Sequence, residues 1–158
     1  NLSPEMKSQS LKTFFILYFF FLLDLIKPFG HYFLAEFLVL GFVLICLDSN
    51  LFSSFIFGII FGYFRSAFLP DELFLSLIEL PILSLIIHYL NLHLKFSGAR
   101  TYLVTSRNLV ALIAICLHIL FNSLASGNFF PIFTLQLLIQ SFLAYLFIGI
   151  CLRKQQAL

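Results

Sequence analysis

Residues 73–94 read LFLSLIELPILSLIIHYLNLHL, and Glu79 is the only acidic or permanently charged side chain among them. An α-helix rises about 1.5 Å per residue, so this stretch covers about 33 Å, close to the thickness of the hydrocarbon core of a bilayer. The stretch does not alternate between apolar and polar residues, as the strands of a membrane barrel do. It therefore predicts a transmembrane helix.

The composition extends this interpretation to the whole chain. Of the 158 residues, 61% are hydrophobic and 10% are charged, and the mean hydropathy is +1.07. A soluble domain carries about 25% charged residues, so lipid rather than water must solvate much of this apolar surface. We predict an all-α fold, a polytopic transmembrane helix bundle that forms one domain over residues 1–158 and has no soluble domain.

Five further apolar stretches flank residues 73–94, and polar or Pro- and Gly-containing turns separate them. Together they predict six spans, at residues 11–26, 31–47, 51–68, 73–94, 108–124 and 130–152. A span needs about 17–25 residues, so the first three are short, and the first or second could be tilted out of a full span. Lys7 and Lys12, followed by the apolar run 14–23, resemble a signal peptide, but Asp24, Lys27 and Pro28 come next instead of a cleavage site, so we expect a retained helix.

Lys and Arg are distributed unevenly between the two sides of this six-span layout. Seven lie in the N-terminal tail, the loop after the fourth helix and the C-terminal tail: Lys7, Lys12, Lys95, Arg100, Arg107, Arg153 and Lys154. Only Lys27 and Arg65 lie on the opposite side. Short cytoplasmic loops carry the excess of positive residues, so both termini are predicted to be cytoplasmic. No basic run is long enough to indicate nucleic-acid binding, and membrane lipid is the expected partner.

Four charged residues fall in the predicted outer half of the membrane, the first of them Asp24 near the outer end of the first helix. Glu36 lies in the second helix, Arg65 in the third and Glu79 in the fourth. A charge inside a bilayer is costly, so each residue is a candidate for function, and pairing of Arg65 with Glu36 or Glu79 would offset part of that cost. Two interpretations remain open. The one we favour is structural, either an ion pair that fixes helix packing or side chains that extend to the membrane interface. The other is a proton or cation relay.

Polar residues spaced four apart mark one face of each of the last two helices. His118 and Asn122 form such a pair in the fifth helix, and Gln136 and Gln140 form one in the sixth. Amide and imidazole side chains in membrane helices commonly bond to neighbouring helices. We therefore predict interhelical hydrogen bonds from all four residues, with the glutamines of the sixth helix turned inward.

The segment from Gly58 to Gly62 is a GxxxG pattern in an apolar helix. Two glycines one turn apart allow another helix to approach closely, whether it belongs to this chain or to a partner protein.

Signatures of catalysis and of metal binding do not occur in the sequence. HExxH, GxSxG, a Walker A loop and a CxxC pair are all missing. The sequence therefore predicts neither an enzyme nor a bound metal or cofactor.

The pattern resembles the MreD family, the rod shape-determining membrane proteins of bacteria. The resemblance rests on the size, the six-span layout and helices two to five, and covers about two thirds of the chain. It includes the apolar run 38–47, the polar turn 48–50, the glycine-bearing segment 57–62, and the loop 100–107 that leads into residues 109–120.

This resemblance implies a non-enzymatic scaffold of the cell-elongation complex in the bacterial cytoplasmic (inner) membrane. The expected partner is a single-span MreC-like protein, and through it the enzymes of peptidoglycan synthesis and the actin-like filament. Six short helices also suit the substrate-binding membrane subunit of a small-molecule uptake transporter, in which Glu36, Arg65 and Glu79 would line a polar pocket. An accessory subunit of another membrane complex is a third possibility.

Overall fold

The computed structural model describes residues 4–27, 36–68, 75–95, 100–126 and 131–156. They form six α-helices, which are α1 (Pro4–Ile26), α2 (Phe37–Asp48), α3 (Leu51–Phe68), α4 (Leu75–Lys95), α5 (Arg100–Ser126) and α6 (Pro131–Gln156). These described ranges contain no β-strand. The predicted all-α fold is therefore confirmed for this part of the chain.

Three helices extend beyond their predicted apolar stretches. α1 begins at Pro4 rather than at residue 11, and α6 begins at Pro131 and continues to Gln156. Proline suits the first position of a helix, where its missing N–H is not needed. The polar stretch before residue 108 was predicted as a loop, which is wrong from Arg100 onward, because α5 already begins there. Residues 100–107 contain neither Gly nor Pro to stop the helix.

α2 is shorter than predicted and lies at the centre of the bundle. The backbone of Glu36 is extended, with φ −92° and ψ 109°, so the prediction of a helix through this residue is wrong. The earlier part of the predicted helix, residues 31–35, lies outside the described part of the chain. The helix packs against each of the other five. Nine of its 12 residues are buried, and an apolar sequence on all sides is typical of a fully buried helix.

α1 lies at the periphery, where it packs on α2 and α3. Leu17, Phe20 and Phe21 are its buried residues, and their spacing places them on one face of the helix. The ring of Phe21 lies 5.6 Å from that of Phe68 in α3, measured between centroids. The ring of Phe20 lies against Gly41 in α2, where a Cβ atom would overlap it. Aromatic side chains therefore hold α1 to the bundle.

α3 and α4 approach each other at Gly58. A Cβ atom built on this glycine would lie 3.0 Å from the backbone nitrogen of Pro81 and 3.1 Å from the carbonyl carbon of Leu80. Pro81 lies inside α4 and donates no backbone hydrogen bond there. The helix that the GxxxG pattern admits at Gly58 is therefore an internal neighbour, and Gly62 is also buried.

Two described helices are long and apolar enough to cross a membrane. The windows Gln9–Ile26 in α1 and Leu51–Phe68 in α3 each have 18 residues, with mean hydropathies of 1.6 and 1.5. The remaining four helices each contain a shorter apolar stretch of 10–17 residues: Phe37–Asp48, Leu77–His93, Arg107–Ser123 and Thr134–Gly149. The windows in α1 and α3 support association of the chain with a membrane.

Candidate functional site

A carboxylate from α1 caps the N-terminus of α2. The backbone N–H of Phe37 donates to Asp24 Oδ1, and that of Leu38 donates to Asp24 Oδ2, both at 2.7 Å. The first N–H groups of a helix lack intrahelical partners, and a negative charge is favourable beside them. Glu36 occupies the N-cap position but makes no side-chain cap bond. Its carboxylate is therefore directed to other partners.

Arg65 joins the two glutamates. Its Nη2 atom lies 2.7 Å from Glu36 Oε2, and its Nη1 atom lies 3.4 Å from Glu79 Oε2. Arg65 projects from α3 near its C-terminal end, and Glu79 lies early in α4, so the antiparallel helices bring them to the same level. A guanidinium group carries several N–H donors in a fixed plane, which lets one arginine bind two carboxylates at once.

Two residues of α5 complete this polar cluster, which we define as Glu36, Arg65, Glu79, His118 and Asn122. His118 Nδ1 lies 2.5 Å from Glu79 Oε1, and His118 Nε2 lies 3.5 Å from Glu36 Oε2. Asn122 Nδ2 donates to Glu36 Oε1 at 3.3 Å and lies 3.3 Å from His118 Nε2. The cluster thus connects α3, α4 and α5 to the residue that precedes α2.

Arg65, Glu79 and His118 are the buried residues of the cluster, and Glu36 and Asn122 are partly exposed. The side chain of Glu79 is 1% exposed, that of Arg65 is 3% exposed and that of Glu36 is 28% exposed. Buried ions lose their hydration, and they are stable only when partners of opposite charge and hydrogen bonds replace it. Each carboxylate here contacts both a guanidinium N–H and an imidazole nitrogen. The arrangement can therefore hold charged side chains in the bundle interior.

The structure brings together five of the seven predicted polar residues. Sequence reasoning placed Glu36, Arg65 and Glu79 at one end of the bundle but assigned His118 and Asn122 to a separate stripe. The sequence does contain a signal for this contact. In a six-helix layout, residue 118 lies late in the fifth helix and residue 79 early in the fourth, so both lie at the same level of the bundle.

The glutamines of α6 lie elsewhere. Gln140 is half-buried and has an interaction partner. Gln136 is exposed, so the prediction that both glutamines turn inward is wrong for this residue. Four residues of helix advance the direction of a side chain by 400°, about 40° beyond a full turn. At the edge of a buried face, that offset is enough to leave Gln136 exposed while Gln140 is half-buried.

The opposite end of α2 carries a different set of polar contacts. Arg107 Nη2 in α5 lies 2.5 Å from Asp48 Oδ2, at the last residue of α2, and both side chains are substantially exposed. His88 in α4 places Nε2 2.9 Å from the carbonyl oxygen of Ser49 and Nδ1 3.0 Å from that of Ser84. These contacts bind the C-terminal end of α2 to α4 and α5.

Metal ligation finds no support in the described side chains. In that part of the chain, no group of three or more His, Cys, Asp or Glu residues is placed to hold a metal ion. Within the polar cluster, the guanidinium group of Arg65 occupies the space between the carboxylates and supplies the positive charge there.

Comparison with known proteins gives no relative from which the role of this site could be transferred. No protein-family model matches the chain, and neither a curated protein nor a solved structure matches it. Its function must therefore be argued from its own residues.

Proposed function

We propose that this chain is a multi-pass protein of the bacterial inner membrane, with six spans and both termini in the cytoplasm. Large hydrophobic side chains on the outside of the helices support the membrane location in this proposal. The most exposed of them are Phe52 at 76%, Ile26 and Phe147 at 70%, and Tyr63 at 63%. Apolar exteriors of this extent are typical of surfaces that contact lipid or partner proteins.

Within that membrane we propose a non-enzymatic scaffold of the cell-elongation (rod shape) complex, as the resemblance to the MreD family implies. The observation that carries the proposal is the internal pairing of the polar cluster. Its glutamates contact Arg65 and His118, so the polar side chains connect helices within the bundle. Such pairing suits a rigid body that presents apolar outer faces to other membrane proteins.

The scaffold proposal is tested by reconstituting the partner complex. The chain is coexpressed with the single-span MreC-like protein of the same genome and purified in mild detergent, with an unrelated single-span protein as the control. We expect a stable complex with the first protein alone. We also expect Glu79→Gln to keep that complex, because a neutral amide can still hydrogen-bond within the bundle. If the MreC-like protein binds no better than the control, the scaffold function is excluded.

A second candidate is the substrate-binding subunit of an uptake transporter. The exposure of Glu36 favours it, because a carboxylate that is 28% exposed, above a buried Arg65 and Glu79, resembles the entrance to a polar pocket. A charged solute that bound there would raise the thermal unfolding midpoint of the wild type. Glu79→Gln should abolish that rise while the fold survives. A solute whose stabilising effect disappears in this variant would favour transport over the scaffold.

A further inference from the structure

His118 lies between two carboxylates, with one ring nitrogen facing each. Nδ1 lies 2.5 Å from Glu79 Oε1, and a carboxylate held by Arg65 is an acceptor, so Nδ1 carries a hydrogen. This assignment fixes one nitrogen of the imidazole ring. The other nitrogen, Nε2, then determines whether the ring is neutral or positively charged.

Both states of Nε2 have a partner in place. When Nε2 carries no hydrogen, it accepts from Asn122 Nδ2 at 3.3 Å. When Nε2 carries a hydrogen, it faces Glu36 Oε2 at 3.5 Å. A buried donor or acceptor left without a partner is costly. Here neither state leaves the ring nitrogen unmatched.

Charge balance makes the second state accessible. Glu36 and Glu79 together carry two negative charges and Arg65 carries one positive charge, so the cluster with neutral His118 has a net charge of −1. One proton added at Nε2 brings it to zero. From α1, Asp24 lies near this group, since it binds the backbone of the two residues after Glu36. The described stretch 134–149 of α6 contributes no Asp, Glu, His, Lys or Arg.

Glu36 also provides the route by which the proton enters and leaves. It is the one carboxylate of the cluster with substantial exposure, at 28%, whereas His118 is 7% exposed and Glu79 is 1% exposed. We propose that His118 Nε2 is a proton-binding site, filled and emptied through the exposed edge of Glu36, and that the bound proton ties α5 to the start of α2. The inference rests on the geometry of the cluster and holds for either proposed function.

Nitrogen NMR of the histidine rings tests this site. The chain is labelled with ¹⁵N-histidine and placed in lipid nanodiscs, and the two ring-nitrogen shifts distinguish imidazole from imidazolium. The His118→Gln variant identifies its signals among those of the four histidines. In the wild type we expect a single protonation step at Nε2 between about pH 5 and about pH 10, with the Nδ1 hydrogen retained throughout.

Three variants then test the assignment of partners. Glu36→Gln removes the negative charge that stabilises protonated Nε2, so His118 should bind its proton at least about tenfold more weakly and lose it about one pH unit lower or more. Asn122→Ala removes the donor that stabilises neutral Nε2, so the proton should be lost at higher pH. Asp48→Asn neutralises a carboxylate at the far end of α2 and should leave the His118 step unchanged.

Two results would overturn the proposal. One is a wild-type His118 that keeps a single protonation state across the whole range. The other is a Glu36→Gln protein that titrates at the same pH as Asp48→Asn. Should Glu36→Gln fail to fold, the Asn122→Ala variant decides, because a step that stays in place or moves to lower pH contradicts the assigned partners.

Discussion

Replacing Arg65 by leucine should destabilise the bundle more than any other single change in the polar cluster. The variant leaves Glu36 and Glu79 without the cation that lies 2.7 Å and 3.4 Å from their oxygens. At an effective dielectric constant of about 20, those distances correspond to attractions of about 6 and about 5 kcal/mol. Much of this attraction offsets the dehydration of three charged groups, so we expect a net loss of about 3–5 kcal/mol.

The buried thiol of Cys46 provides the assay. This residue is 0% exposed in α2, so a thiol-reactive fluorescent maleimide can reach it only when the bundle opens. With Cys116 and Cys151 replaced by serine, the labelling rate reports the free energy of opening while closing is faster than labelling. A loss of about 3–5 kcal/mol should accelerate labelling about 100- to 5,000-fold. Arg65→Leu with the wild-type labelling rate would refute this account of the cluster.

Two further variants separate charge from shape at Arg65. Arg65→Lys keeps the charge, but one ammonium group cannot reach both carboxylates as the guanidinium fork does, so we expect a loss of about 1.5–3 kcal/mol. Glu79→Gln alone should lower stability by only about 0.6 kcal/mol, as for an ordinary interhelical hydrogen bond. Added to Arg65→Leu, it should restore part of the loss, because it removes the more buried of the two stranded charges.

Three other predictions concern packing, capping and topology. Gly58→Ala should lower the free energy of unfolding by about 1–3 kcal/mol, because its Cβ would lie 3.0 Å from the backbone of α4. Gly149→Ala is the control, since its Cβ has no atom nearer than 3.9 Å, and its stability should be within about 0.5 kcal/mol of the wild type. Equal effects of the two variants on the Cys46 labelling rate would contradict the close approach of α3 and α4. Asp24→Ala should lower the free energy of unfolding by about 2 kcal/mol in the same assay, since two N–H groups of α2 lose their acceptor. An unchanged labelling rate would mean that solvent replaces the Asp24 carboxylate as that acceptor. Reporter fusions at Gln155 and at residues 126–128 should report opposite sides of the membrane, and the same side for both would end the six-span proposal.

The sequence predicted helices well where local signals bound them. α3 has its predicted bounds, Leu51–Phe68, because polar residues precede it and Leu69-Pro70 follows it. The start of α2 was misplaced because its cap comes from Asp24, a residue 13 positions earlier in another helix. Local patterns cannot reveal a cap supplied by tertiary packing. The start of α5 was misplaced for another reason. The apolar stretch predicts only the part of the helix that lies in lipid, and α5 begins eight residues before it, at Arg100.

The site could be predicted in part, because opposite charges at the same level of a helix bundle are expected to pair. That rule selects Arg65, Glu36 and Glu79 from spacing alone. The rule does not select His118, because a neutral histidine carries no charge. The spacing of His118 and Asn122 indicates that they share a face of one helix, but not which other helix that face contacts. Only the packing of α4 on α5 shows that this face meets Glu79.

The short central helix explains why the polar cluster lies where it does. The 12 residues of α2 cover about 18 Å, well below the roughly 30 Å of a hydrocarbon core, so in the proposed membrane at least one end of α2 lies inside the bundle. Backbone N–H groups at such an end need partners, because lipid supplies none. Asp24 satisfies two of them at the N-terminus of α2, and Glu36, the residue before that helix, places its partly exposed carboxylate beside Arg65. That carboxylate pairs with the guanidinium group of Arg65, whose second acceptor is Glu79. The position of one helix end therefore accounts for the pair formed by Glu36 and Arg65.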